Sequence, residues 1–227
     1  MDRATNPMTA LILAAGRGER MQHLTQDRPK PLLPLNGKTL IEHRIQALKQ
    51  SGIKDIIINL HYKGQQIQDH LQDGQHLGVN ITYSPEQDQL DVGGGIIQAC
   101  RLASNQPLVI TNADIDTDFD YSQLTLNDAT AHLVLTDNPD HNPDGDFHLQ
   151  DSFVSSQGSP KLTFTGISII NPNYFGSLPC SPLSYGQLIR PLIDQHAVTG
   201  QYYQGYWCNI DTPERLAKAQ QKHQQTN

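Results

Sequence analysis

Short apolar runs alternate along the chain with segments whose apolar residues recur every three or four positions. The runs predict buried strands at residues 9–15, 55–60, 79–83, 107–111, 131–136 and 164–170. Helical spacing predicts helices at residues 39–52, 64–71, 95–103 and 184–196, and Thr212-Pro213-Glu214 has the residues of a helix start. This alternation predicts an α/β fold in which helices cover both faces of a mostly parallel mixed sheet.

The first predicted helix shows the pattern in detail. Helical spacing joins five of its residues, of which the apolar members form one stripe: Leu40, Ile41, Arg44, Ile45 and Leu48. Residues 137–159 are rich in Asp, Asn, Pro, Gly and Ser, and are typical of a loop or a weak hairpin. Because no linker divides the chain, we predict one domain over residues 8–227, preceded by a flexible leader over residues 1–7.

Composition excludes several classes of protein. No stretch approaches the roughly 18 apolar residues of a membrane span, and the first residues are too polar for a secretory signal. Three scattered cysteines, Cys100, Cys180 and Cys208, argue against a disulfide framework and a zinc site. We therefore expect reduced thiols, a cytoplasmic location and no membrane partner. The single short domain favours a monomer.

The charge of the chain is acidic overall but basic in one segment. A net charge of −7 makes nucleic acid an unsuitable partner. Residues 16–38 nevertheless contain five basic side chains and two acidic ones. A basic segment that contains glycines, next to the predicted end of a strand, indicates a local site for an anion, because ligands of open α/β sheets bind beyond the carboxyl ends of the strands.

The segment Leu13–Lys38 reads LAAGRGERMQHLTQDRPKPLLPLNGK and has the chemistry of a triphosphate site. Gly16 and Gly18 allow backbone N–H groups to approach phosphate closely, and Arg20 offers a planar, multi-donor cation. Lys30 lies between two prolines that restrict its backbone. The segment lacks the Gly-Lys-Ser/Thr ending of a P-loop and the third glycine of a dinucleotide-binding loop.

This segment as a whole resembles the signature of the sugar-nucleotide pyrophosphorylases, the NTP-transferase family. Further matches follow at Ser84-Pro85-Glu86, Gly93-Gly94-Gly95, Asn112-Ala113-Asp114, residues 164–167 and residues 207–216. The resemblance implies a Rossmann-like nucleotide-diphospho-sugar transferase fold and a reaction between a nucleoside triphosphate and a sugar 1-phosphate. It points in particular to UTP and N-acetylmuramic acid α-1-phosphate, as in cell-wall sugar recycling, with Mg²⁺ as cofactor.

The resemblance also implies the residues of the site, with Arg20, Lys30 and Asp114 as the catalytic ones. The residues implied for the nucleotide are Ala14, Ala15, Gly16, Arg17, Gly18, Glu19, Arg20, Lys30, Glu86, Gly93, Gly94 and Asn112. Those expected at the sugar are Asp146, Lys161 and Gly166, and those expected at the metal are Asp114, Asn209 and Asp211.

Three alternatives stay open: the same chemistry with other substrates, a non-catalytic homologue suggested by departures from the family pattern, and a cytidylyltransferase that acts on an alcohol phosphate and shares the first loop. Asn209 stands where the family has an aspartate, Asp211 where it has a glycine, and Ala113 where it has a glycine. The first alternative is the same chemistry with other substrates, such as mannose 1-phosphate and GTP, because a carboxylate at Glu86 suits guanine. The second is a homologue that binds sugar nucleotides without catalysis.

Overall fold

The computed structural model describes residues 8–225, so the leader predicted at residues 1–7 lies outside the described residues. The strands are β1 (Thr9–Leu13), β2 (Pro34–Leu35), β3 (Lys38–Thr39), β4 (Asp55–Leu60), β5 (Asn80–Pro85), β6 (Leu108–Asn112), β7 (Ile115–Thr117), β8 (Ala131–Thr136), β9 (Phe147–Gln150), β10 (Phe153–Ser155), β11 (Lys161–Ile170), β12 (Val198–Tyr202) and β13 (Trp207–Asn209). The α-helices are α1 (Leu40–Gln50), α2 (Gly64–Leu71), α3 (Asp91–Cys100), α4 (Pro172–Gly176), α5 (Tyr185–Asp194) and α6 (Pro213–Gln225).

A mixed sheet runs through the molecule in the order β5-β4-β1-β6-β11-β8-β12-β10-β9. The first four strands are parallel, with Ala10 of β1 opposite Ile56 of β4 and Val109 of β6. From β11 onward most pairings are antiparallel, although β8 and β12 pair in parallel. The predicted α/β fold with a mixed sheet is confirmed, and the parallel character is concentrated in the half formed by residues 9–112.

Two apolar cores make this sheet the middle of three layers. On one face, α1 and α2 bury Ile41, Ile45 and Ile67 against β1 and β4. On the other face, α3 and α5 bury Ile96 and Ile189 against the same sheet. Successive side chains of a strand point to opposite faces, so a strand that is covered on both sides needs a continuous apolar run. This is why TALIL and DIIINL were recognisable as strands.

Helix boundaries follow capping residues where these are present. Thr39 and Glu42 form a capping box at the start of α1, and Ser184 and Gln187 form another at the start of α5. The helix expected from residue 95 begins earlier, at Asp91, so the three glycines lie within α3. Glycine is a poor helix former. The close packing of Gly93 and Gly94 against the backbone of residues 181–184 accounts for a helix start at this position.

A third, smaller core fixes the segment after β1. Met21, Leu33 and Leu35 pack there against Ile210 and Leu216, the last of which belongs to α6. These apolar contacts hold the basic segment, residues 16–38, against the carboxy-terminal helix α6. Within residues 8–225, no helix is long and apolar enough to cross a membrane.

Candidate active site

The carboxyl ends of β1, β4 and β6 border a cleft made of two adjoining cavities. The smaller cavity has a volume of about 190 Å³ and the larger about 510 Å³. Residues that line both are Leu13, Gly16, Gln89, Val92 and Asp114. The three loops expected at this edge, after residue 15, around residues 91–95 and after residue 111, all contribute to it, as the α/β topology predicts.

The glycine loop between β1 and the following 3₁₀ turn borders the larger cavity. Gly18 has φ of +66°, and a β-carbon at this position would lie 3.0 Å from Cβ of Lys30. Both the backbone conformation and the close approach therefore require glycine. Gly16 has open space where a side chain would be, which leaves its backbone accessible from the cavity.

Lys30 carries its ammonium into the larger cavity although the residue as a whole is only 9 % exposed. Pro29 is extended and Pro31 follows in the same short 3₁₀ turn, which fixes the lysine backbone as the sequence predicts. The ammonium donates a short hydrogen bond to Oδ2 of Asp114, which follows β6. A largely buried cation beside one partly exposed carboxylate is suited to receive a phosphate group.

Arg20 and Asp211 join the two ends of the chain at the larger cavity. Arg20 Nη1 lies 2.5 Å from Asp211 Oδ2, and Arg215 forms a second, short ion pair with Oδ1. Asp211 is buried; its Oδ1 accepts from Arg215, and its Oδ2 accepts from Nδ2 of Asn209 and forms the ion pair with Arg20. In this arrangement the carboxylate of Asp211 anchors two guanidinium groups, and its expected role as a metal ligand stays a prediction.

Asn209 retains the features expected of a metal ligand. β13 pairs with β7, and the N–H of Ile210 donates to the carbonyl oxygen of Asp114 at 2.7 Å, so Asn209 is held near Asp114. Its Oδ1 is buried and has no hydrogen-bond partner within residues 8–225, whereas Nδ2 donates to Asp211. Asn209 lines neither cavity, but a buried carbonyl oxygen without a partner has the chemistry that Mg²⁺ prefers.

Mg²⁺ commonly uses only one or two carboxylates, with substrate phosphates completing its ligands. In the described part of the chain, no group of three or more His, Cys, Asp or Glu side chains has the arrangement of a metal site. The pair Asp114 and Asn209 is consistent with a Mg²⁺ ion that is held partly by its substrate.

Glu86 is oriented within the smaller cavity by the protein itself. Asn59 of β4 donates to its Oε1 at 2.8 Å, and the backbone N–H of Leu90 donates to its Oε2 at 3.2 Å. The Oδ1 of Asn59 accepts from the N–H of Ala14 at 2.7 Å, which links the glycine loop to Glu86. Burial raises the pKa of Glu86, and the hydrogen bonds from Leu90 and Asn59 oppose that rise.

Two of the three glycines of α3 pack closely against the segment before α5. A side chain at Gly93 or Gly94 would collide with backbone oxygens of Leu183 or Ser181, at 2.7 and 2.4 Å. Gly93 and Gly94 line neither cavity, and their contact with the nucleotide stays a prediction. The residues just before them, Gln89 and Val92, line both cavities and were missed. Their place after β5 was the available signal.

The residues expected at the nucleotide otherwise gather at the cleft. The larger cavity is lined by Ala14, Gly16, Arg17, Gly18, Glu19, Arg20 and Lys30, and the smaller by Ala15, Glu86 and Asn112. Asn112 also contacts Gly166, because a β-carbon on that glycine would lie 2.6 Å from Nδ2 of Asn112. Gly166 has φ of +80° and lies at an irregularity of β11.

Of the residues expected at the sugar, Lys161 and Gly166 lie on β11, and Asp146 lies in the loop before β9. Asp146 accepts from the backbone N–H of Phe164 at 2.8 Å and from Asn142, so it ties the preceding loop to the strand. Asp146, Lys161 and Gly166 line neither of the two cavities. Their contact with a sugar stays a prediction.

Comparison with known proteins places this geometry in a family. The family model for nucleotidyl transferases matches residues 9–143. N-acetylmuramate α-1-phosphate uridylyltransferase of Neisseria meningitidis serogroup B is 43 % identical over 224 residues, which cover 94 % of this chain and 97 % of the relative. D-glycero-α-D-manno-heptose 1-phosphate guanylyltransferase of Campylobacter jejuni is 28 % identical, with coverage of 91 % and 96 %.

A solved structure shows the same fold. HddC from Yersinia pseudotuberculosis, complexed with GMP-PN, superposes with a TM-score of 0.80 at 22 % identity, over 95 % of this chain and 99 % of that chain. The family match covers the glycine loop, Lys30 and Asp114, the residues that meet at the larger cavity. The chain therefore belongs to the nucleotidyl transferase family and is a nucleotidyltransferase.

Proposed function

We propose that the protein transfers the uridylyl group of UTP to the phosphate of N-acetylmuramic acid α-1-phosphate and releases pyrophosphate. One phosphate oxygen of the sugar 1-phosphate forms a bond to the α-phosphorus, and the bond from that phosphorus to the β-phosphate oxygen breaks. The observation that carries the proposal is Lys30, a largely buried ammonium facing Asp114 where the two cavities meet. The near full-length uridylyltransferase relative supports the choice of substrates.

The reaction requires charge neutralisation more than proton transfer. A phosphate monoester has a second pKa of about 6, so the nucleophile is already largely ionised at neutral pH. Lys30 is suited to neutralise charge on the α-phosphate, while Arg20 and the glycine loop hold the β- and γ-phosphates. Binding two substrates in line supplies the remaining rate enhancement by orientation.

Gln89 at the smaller cavity supports uracil as the base in this proposal. Each oxygen of Glu86 already accepts one hydrogen bond, from Asn59 or from Leu90, but retains a second acceptor site, so Glu86 does not by itself exclude the two adjacent donors of guanine. Gln89 lines the same cavity, and an amide both donates and accepts. Uracil presents an N–H beside a carbonyl, which matches an amide. Guanylyl transfer is the second candidate, and the guanylyltransferase relative is the observation in its favour.

We propose Mg²⁺ as the cofactor, bound by Asp114 and by Oδ1 of Asn209. When bound, the ion neutralises phosphate charge and orients the triphosphate. The part of this chain is to provide two oxygens at fixed positions on neighbouring segments. We also propose a cytoplasmic location, which the three unpaired cysteines support.

The experiment is a pyrophosphate-release assay with Mg²⁺, N-acetylmuramic acid α-1-phosphate and, in turn, UTP, dTTP, GTP and CTP. Release with UTP, and its loss in Lys30→Met but not in Lys54→Met, supports the proposal; Lys54 is exposed and precedes β4 at the opposite edge of the sheet. Release with GTP alone, or only with another sugar 1-phosphate, overturns the substrate assignment. Tight UTP binding without turnover on any sugar 1-phosphate overturns the proposed reaction and supports the binding-protein alternative.

A further inference from the structure

Arg44 is a buried cation within the apolar stripe of α1. The residue is 2 % exposed, and its neighbours on the stripe, Ile41, Ile45 and Leu48, belong to the main core. Its Nη1 donates to the hydroxyl of Tyr121 at 3.1 Å, and that hydroxyl also bonds Thr111. Its Nε has no hydrogen-bond partner, and no carboxylate among residues 8–225 lies within 4.0 Å of the guanidinium.

Such a group is costly to the fold unless something else satisfies it. Burying a charge without a counter-ion costs several kcal/mol or more, and neutral hydroxyls offset only part of that penalty. An apolar residue at this position would complete the stripe without the cost. A ligand that supplies a negative charge explains why the position carries arginine.

Arg44 lines a cleft that is separate from the nucleotide site. The cleft has a volume of about 340 Å³ and lies between α1, β7 and α6. Besides Arg44, the basic side chains on its walls are Lys38, His43 and His223. None of Arg20, Lys30 and Asp114 lines it, so a ligand bound there does not share the catalytic residues.

Asp116 is the one carboxylate among the described residues that line this cleft, and it is already paired. Its Oδ2 accepts from Nε2 of His223 and from the hydroxyl of Tyr206, both at 3.0 Å. Lys38 is exposed and donates to the side-chain oxygen of Gln46, a neutral group. The charges of Arg44 and Lys38 are therefore available to an incoming anion.

We propose that this cleft is a second anion site, which binds the phosphate group of a small molecule between Arg44 and Lys38. A guanidinium is suited to phosphate because its N–H groups form a planar fork, and Lys38 adds a point charge. The volume is in the range of small-ligand pockets, so a phosphorylated metabolite fits as well as inorganic phosphate. The site lies against the ribbon of β7 and β13, in which Asp116 and Thr117 line the cleft and Asn209 pairs with Ile115.

The test uses a protein whose nucleotide site no longer binds phosphate well, the full-length double variant Arg20→Ala/Lys30→Met. Inorganic phosphate is added at constant pH and ionic strength, and the ring signals of His43 and His223 are followed by NMR. We expect saturable shifts with Kd at or below about 10 mM, the range of a weak metabolite site. This readout does not depend on turnover, so it stands if the proposed reaction fails.

Three further variants in this background decide the assignment. Arg44→Met is expected to abolish the shifts, and Lys38→Ala to weaken binding about tenfold, the usual loss for one charge-assisted hydrogen bond. Lys54→Met is the matched control and is expected to bind as before. Lys38 is exposed, so Lys38→Ala tests the proposal even if Arg44→Met fails to fold. Histidine signals that do not respond to phosphate, or that respond equally in folded Arg44→Met and Lys38→Ala, overturn the proposal.

A second titration identifies the source of the phosphate group. Pyrophosphate and a hexose 1-phosphate are compared with inorganic phosphate in the same protein. Tighter binding of the sugar ester supports a metabolite as the ligand of this site, and tighter binding of either inorganic ion supports the reaction product or free phosphate. Loss of each response in Arg44→Met supports the same site for all three.

Discussion

Arg20 and Asp211 form an ion pair of 2.5 Å between a side chain that is 70 % exposed and one that is 1 % exposed. The flexible, solvated partner is the one expected at the triphosphate, and the rigid partner fixes it. Asp211 owes its rigidity to burial and to Arg215, four residues later in α6. An unusual residue in the family pattern therefore positions a predicted catalytic one.

We expect Asp211→Asn to lower kcat/KM for UTP up to about fivefold, because Arg20 is solvent-exposed and loses a charged anchor worth at most about 1 kcal/mol. The measurement is steady-state pyrophosphate release, with thermal unfolding to confirm that the variant folds. Lys218→Met, an exposed position of the same helix, is the control and should behave as the parent. If a folded Asp211→Asn variant has the kcat/KM of the parent, the ion pair with Asp211 is not needed to orient Arg20.

Lys30→Met should lower kcat about 10²- to 10³-fold, the usual loss for one preorganised donor at a developing charge. Asp114 loses its counter-ion, but its carboxylate is 22 % exposed and can be solvated, so the free energy of unfolding should fall by less than the activation free energy rises. Quench-flow or steady-state assays measure the first quantity, and denaturant unfolding the second. If the loss in the free energy of unfolding equals the rise in the activation free energy, the role of Lys30 is structural and not catalytic.

The two glycines of the first loop should separate stability from binding. Gly18→Ala should lower the free energy of unfolding by about 1–2 kcal/mol, because φ of +66° is unfavourable for a residue with a β-carbon. Gly16→Ala should leave unfolding unchanged, since its β-carbon meets open space, but should raise KM for UTP. Calorimetry and kinetics on the two variants check this. Destabilisation by Gly16→Ala would contradict it.

Glu86 should make stability fall as pH rises. Burial raises its pKa above the usual value of 4.5, so the folded state retains this proton to higher pH than the unfolded chain does. The contribution of the protonated group is therefore present below pH 4.5 and lost as pH rises through the folded pKa. Urea unfolding from pH 4.5 upward should show a shallower decline for Glu86→Gln. If the free energy of unfolding falls with pH equally steeply in both proteins, a group other than Glu86 causes the pH dependence.

Removal of the metal should abolish turnover without unfolding the protein. Chelation with EDTA should stop pyrophosphate release, and added Mg²⁺ should restore it. Asn209→Ala should raise the Mg²⁺ concentration needed for half-maximal rate about tenfold. The variant loses one of the two proposed protein ligands of the ion, and a loss at a metal site weakens metal binding by roughly that factor or more. A Mg²⁺ dependence that is unchanged in Asn209→Ala would remove this residue from the proposed metal site.

Local patterns carried most of the predictable structure. The strands of the parallel half are covered on both faces, so their continuous apolar runs are distinctive in the sequence. The prolines on either side of Lys30 likewise predict a restricted backbone. β12 was missed because VTGQY mixes polar residues with a glycine, and its strand conformation comes from pairing with β8. β7 and β13 are three residues each, too short for any periodicity.

The predicted site was limited by contacts between distant segments. Nothing near Asp211 in the sequence announces Arg20 as its partner, and nothing near Gly93 announces the segment at 181–184. Asn59 looked like one more residue of a buried strand, yet it connects Ala14 with Glu86. Roles of this kind depend on which side chains the sheet order brings together.

The pairing of β7 with β13 has a consequence for the order in which the enzyme matures during synthesis. Asp114 and Asn209 are 95 positions apart in the chain, and this small ribbon helps to bring them together. Contacts between such distant residues form late because long loops must close first. The same carboxy-terminal stretch supplies Asp211, which anchors Arg20, and Ile210 and Leu216, which pack against the segment after β1. The parallel strands can therefore pair early in synthesis, but residues 209–216 complete both the triphosphate site and the proposed metal site.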